Sequence, residues 1–85
     1  MSVFPTMQNS IQLFWTLIEV YVDNNGNKIA VSPLIYDSYD LCVAQYFQVG
    51  AAAARSSNVY HAVAILQSDG RITDVRVFDR RVNNG

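Results

Sequence analysis

Residues 12–22 read QLFWTLIEVYV. The aromatic and β-branched content predicts a strand, and strand side chains alternate between two faces. Phe14, Ile18, Val20 and Val22 then point one way, and Leu13, Trp15, Leu17 and Tyr21 the other. A strand with one face in water alternates apolar with polar residues. This one is apolar on both sides, so each face asks for a cover.

Two turn signals place its neighbours. Asn25-Gly26 in DNNGNK and Asp69-Gly70 in QSDGRI each lie between apolar runs. Both dipeptides suit a two-residue type I′ hairpin loop, whose central residues take positive φ. Such loops make paired residue numbers sum to about 51 in the first hairpin and about 139 in the second. Val22 then faces Ile29, Val20 faces Val31 and Thr16 faces Ile35. On the other side Tyr21 meets Ala30, Glu19 meets Ser32, Leu17 meets Leu34 and Trp15 meets Tyr36. Pro33 has no N–H for a ladder, so it makes its strand an edge or breaks its end. The second hairpin puts Tyr60, Ala62, Ala64 and Leu66 with Thr73, Val75 and Val77 on one face. Val59, His61, Val63 and Ile65 share the other with Ile72, Asp74, Arg76 and Phe78.

Between the hairpins, DSYDLCVAQYFQVGAAAARSS predicts a helix. Asp37 or Ser38 can cap it, Asp40 suits the first turn and Arg55 the last. No charge occurs from Leu41 to Ala54. Leu41, Val43 and Phe47 are expected to face the sheet, with Gly50 and Ala51 to Ala54 open to close approach by another backbone.

The expected fold is α+β: a four-stranded antiparallel sheet, β-β-α-β-β, with one helix packed on one face. It is a single domain over 1–85, with a loose N-terminal arm at 1–9 and a frayed tail at 81–85. The small aliphatic set reads as the floor for the helix. The opposite face would stay bare and supply a partner or dimer interface from Trp15, Leu17, Tyr21, Leu34, Tyr36, His61, Val63, Ile65, Arg76 and Phe78, with Glu19 and Asp74 among them. Trp, Tyr, Phe and Arg are enriched at interface centres. The arm, with Phe4 and Met7, is the competing cover within the chain.

Composition narrows the function classes. Hydrophobic residues are 51% of the 85 and charged residues 15%, against about 25% charged in ordinary domains, which excludes disorder. Net charge is −1, so no global field draws the chain to nucleic acid or an anionic surface. The single cysteine, Cys42, fits a reducing cytosol and excludes an internal disulfide. Neither LFWTLIEVYV nor LCVAQYFQVGAAAA reaches the length of a membrane span. The first ten residues lack the pattern of a signal peptide, and Ser2 stands where myristoylation needs glycine.

No motif carries catalysis, a cofactor or a metal. Cys42 and His61 are the one nucleophile–base combination, and the expected pairing sets them on opposite faces. DNNGNK lacks the glycine position and the closing glutamate of a calcium loop. Arg71, Arg76, Arg80 and Arg81 suggest a nucleic-acid stripe, but Asp69, Asp74 and Asp79 interrupt it. The expectation is therefore a small non-enzymatic interaction or regulatory protein, a homodimer or a binder of a larger protein, cytoplasmic and without membrane or nucleic-acid contact. That format is shared by phage- and plasmid-encoded inhibitors, anti-CRISPR proteins among them. The alternatives are a small dimeric α+β barrel enzyme with a pocket around His61, and a nucleic-acid accessory protein using the C-terminal arginines.

Overall fold

The computed structural model describes residues 12–81; the arm expected at 1–9 and, of the tail expected at 81–85, all but Arg81 lie outside the described residues, and Arg81 is bonded to Asp79. The elements are β1 (Trp15–Val22), β2 (Lys28–Ala30), β3 (Leu34–Tyr36), α1 (Tyr39–Arg55), β4 (Tyr60–Gln67) and β5 (Ile72–Asp79). The fold of the described residues is α+β, one helix on an antiparallel sheet, with β1 and β4 central, β5 at one edge and β2 and β3 both pairing with β1 at the other. The second expected strand is split in two around Val31, Ser32 and Pro33.

Neither hairpin uses the expected two-residue loop. Gly26 N–H donates to the Asp23 carbonyl at 3.0 Å, and Asp23 N–H to the Asn27 carbonyl at 3.0 Å. Gly70 N–H donates to Gln67 at 2.8 Å, and Gln67 N–H to Arg71 at 2.7 Å. Gly26 and Gly70 have φ of +86° and +98°, and no described non-glycine residue has positive φ. Each loop is thus a three-residue turn closed by a left-handed glycine. Asp23 braces the first loop: its Oδ1 accepts from the N–H groups of Asn25 and Asn27, each at 2.9 Å. The bonds from Asn27 lead in holding its carboxyl below the usual range.

The longer loop shifts the register next to it by one residue. Val22 faces Lys28, Tyr21 faces Ile29 and Val20 faces Ala30, so Ile29 and Ala30 lie on the faces opposite to those expected. Farther along, Trp15–Tyr36, Thr16–Ile35 and Leu17–Leu34 pair as expected. The one-residue difference is absorbed in the segment holding Pro33, as in a β-bulge. In the second hairpin the pairs from Tyr60–Asp79 to Ile65–Asp74 are the expected ones, and an irregularity then sets Leu66 opposite Ile72. Ile72 accordingly shares the Leu66 face.

The principal correction concerns which face the helix covers. Leu17, Val63 and Ile65 are buried together with Cys42, Tyr46 and Ala53 of α1, and Trp15, Tyr36, Val43, Val49 and Phe78 pack around them. The helix therefore lies on the aromatic face expected to be bare, and among the described residues the small aliphatic face carries no helix. Volume explains the choice. A packed interior leaves no voids, and large side chains on the sheet fill the space beneath a helix that a shallow floor of Ala62 and Ala64 would leave empty. The helix's inward stripe is correspondingly Cys42, Tyr46, Val49 and Ala53, while Leu41 and Phe47 face outward. Ser38 caps the helix, its Oγ accepting from Leu41 N–H at 3.3 Å.

Truncation on the two faces should differ sharply in stability. Ile65→Ala should cost about 2–5 kcal/mol in urea unfolding, whereas Val75→Ala on the open face should cost under about 1 kcal/mol. The reverse order would return the helix to the other face.

Candidate binding surface

Opposite α1, the sheet presents four ranks of side chains. Lys28, Val22, Tyr60 and Asp79 form the first; Ala30, Val20, Ala62 and Val77 the second; Ile18, Ala64 and Val75 the third; Ile35, Thr16, Leu66 and Ile72 the fourth. Charge is confined to the first rank, at Lys28 and Asp79 and in Arg81 over the Tyr60 ring. Ile35 is 68% exposed, Val75 59%, Val77 50%, Ile72 50% and Val20 37%. Four strands spaced ~4.8 Å apart, with eight residues rising ~3.3 Å each, give this face about 500 Å². Lone exposed apolar residues are ordinary, but a contiguous patch of this size stands at the upper end for monomers and is often functional. The outer side of α1 adds Leu41 and Phe47.

The residues expected to form the interface lie almost entirely under the helix. Leu17, His61, Val63 and Ile65 are buried; Trp15, Tyr36 and Phe78 pack on the core; Tyr21 is half-buried. Of the set, only Leu34 and Arg76 are exposed. Polar groups there are satisfied within the chain. His61 Nε2 is 2.7 Å from Glu19 Oε2, and its Nδ1 is 3.3 Å from Asn58 Nδ2. Tyr21 lies against the imidazole, ring centres 5.1 Å apart. Trp15 Nε1–H donates to Gln67 Oε1 at 3.0 Å.

Cys42 and His61 share the covered side, not opposite faces as expected, yet the imidazole's polar partners are Glu19 and Asn58. Burial pushes the Cys42 thiol up from its ordinary 9.0, and the Asp74 carboxylate adds to this. Cavities open at the surface of the described residues. One of about 300 Å³ is lined by Val20, Tyr21, Val22, Lys28, Ile29, Ala30 and Tyr60. Another, about 200 Å³, lies between Tyr46, Phe47, Gly50, Ala51, Ala54 and Arg76. His61 lines neither. No group of three or more His, Cys, Asp or Glu side chains that could hold a metal occurs among the described residues.

The C-terminal arginines are differently employed. The Arg80 guanidinium donates to the carbonyls of Asn58, Ala53 and Ala54, each at 3.0 Å, and so closes the last turn of α1. Arg81 grips Asp79 through Nε and Nη2, both at 2.8 Å, and that bond holds the Asp79 carboxyl down. Arg81 also stacks on Tyr60 at 5.0 Å. Sequence reasoning missed the cap; its signal is a cation positioned to meet the negative end of the helix dipole.

Comparison with protein-family models, curated proteins and solved structures finds no match to this chain. Among the described residues no helix is long and apolar enough to cross a membrane.

Two measurements check this arrangement. Arg80→Ala, which strips three carbonyls of a charged donor, should lower stability by about 1–3 kcal/mol, while Arg71→Ala leaves it near wild type. Native Cys42 should react with a thiol reagent at pH 8 at least about a hundredfold more slowly than after denaturation; equal rates would place it outside the core. Its raised pKa also gives a sign. Stability holds below the unfolded thiol's value and falls as pH rises through the window above it, where only the unfolded state loses the proton.

Proposed function

We propose that this chain is a small non-enzymatic interaction module that docks an apolar protein surface on its open sheet face. The observation that carries the reading is the uninterrupted run of Ile18, Val20, Ala62, Ala64, Val75 and Val77 across three strands, with charge only at its end. Were the whole footprint of about 500 Å² apolar, burying it would be worth on the order of 12 kcal/mol gross, an upper bound. Association consumes about 4–15 kcal/mol of that, so one face gives a weak to moderate contact. The partner is a protein and not nucleic acid: two of the four C-terminal arginines are engaged within the chain, and beyond its first rank the face is uncharged.

The test uses Val20→Glu/Val77→Glu, a double substitution on the open face that leaves the core untouched. Wild type should raise the fluorescence of a dye that binds apolar surface, and the double variant should lose that signal at an unchanged circular dichroism spectrum. Proteins from the native host retained by wild type should be lost by the double variant and kept by Leu41→Glu on the helix. Equal retention by all three would overturn the reading.

A further inference from the structure

The two edges of the sheet are built differently. At the β2/β3 edge the strands are three residues each, separated by Pro33, and Lys28 sits on one of them. Short strands, proline and lysine are the devices that stop an edge from pairing. β5 is eight residues long, its only irregularity lies near Leu66, and Asp74 to Asp79 run regularly along β4. Arg80 N–H donates to the Val59 carbonyl at 2.9 Å. The alternation of an antiparallel ladder then turns the main chain of Asp74, Arg76 and Phe78 toward β4, and that of Val75 and Val77 outward.

The side chains of this edge are self-complementary in one register. With Val75 opposite the partner's Val75, Asp74 stands opposite the partner's Arg76, and Arg76 opposite the partner's Asp74. A shift of two residues either way places Arg76 against the partner's Arg76 or Asp74 against the partner's Asp74. Like charges directly opposite are destabilising and opposite charges stabilising. Both groups have bonding capacity in hand. Tyr39 Oη–H at 2.6 Å and Thr73 Oγ1–H at 2.9 Å both donate to Oδ2 of Asp74, which leaves Oδ1 without a partner among the described residues. Arg76 is exposed and makes no side-chain hydrogen bond or ion pair among them.

We propose that two copies of this chain join edge to edge through β5, antiparallel about a two-fold axis at Val75, so that the two sheets become one. The two-fold axis stands perpendicular to the sheet, so both open faces lie on the same side. The contact is isologous, the commonest arrangement in homodimers. It uses a different surface from the one assigned to partner binding and stands or falls separately.

Light scattering on a sizing column at about 100 µM should give twice the 9.5 kDa chain mass, with the dimer dissociating on dilution. Arg76→Asp and Asp74→Arg should each raise the dimer dissociation constant by about tenfold or more. Mixing these two variants should restore it, because every cross-strand pair is then opposite in charge. Val75→Pro removes an outward N–H without touching the β4 ladder and should give a folded monomer. Val20→Glu/Val77→Glu should remain dimeric, separating this contact from the face. A wild-type monomer at that concentration, single reversals that leave the dimer intact, or a mixture that fails to associate would each overturn the proposal.

Discussion

The seating of Cys42, Tyr46 and Ala53 on Leu17, Val63 and Ile65 determines everything else about this molecule's surface. A single helix covers one face of a sheet, so committing it to the aromatic side leaves the aliphatic side without helical cover among the described residues. The commitment is reinforced at both ends of α1. Near its start Tyr39 packs on Trp15, ring centres 5.8 Å apart, and bonds Asp74. At its end Arg80 ties the final carbonyls to β5. Burial supplies the driving force, and these polar ties fix where along the sheet the helix rests.

Much of the fold is legible in the residues, and the limit of legibility has a definite cause. Alternation correctly sorts β1, β4 and most of β5 into two faces, because period two is a property of the strand alone. It does not say which face is covered when both are apolar, as Trp15/Leu17 and Ile18/Val20 are. Volume carries that information, and it has to be summed across strands whose order the sequence leaves open. The inward helix stripe fails to be legible for a related reason. Leu41 and Phe47 are larger than Cys42 and Ala53, but the sheet already supplies bulk and needs small partners. An apolar sheet face without helical cover among the described residues was thus legible as a kind of surface, but its residues belong to the other face. Loop length was hidden because Asn-Gly and Asp-Gly serve two-residue and three-residue hairpins alike.

The buried polar cluster beneath the helix has a structural account. His61 is satisfied on both nitrogens by Glu19 and Asn58, and no buried side-chain polar atom among the described residues lacks a partner. A satisfied network of this kind ties β1 to β4 and to the loop before β4, since separating them would strand a polar group in an apolar layer. The imidazole is enclosed by its own chain.

Edge and face reinforce one another in energetic terms. One open face offers at most on the order of 12 kcal/mol of gross burial, close to the association penalty of about 4–15 kcal/mol. Two faces fixed side by side present about 1,000 Å² on one rigid platform, and the second contact then forms without a second loss of translational freedom. The charges fit that division of labour. Lys28 and Asp79 bound the open platform at one end, while Asp74 and Arg76 stand on the β5 edge, where they select a register instead of interrupting the apolar surface. A chain with 15% charged residues has few to place, and here they mark the borders of a surface whose middle is left uncharged.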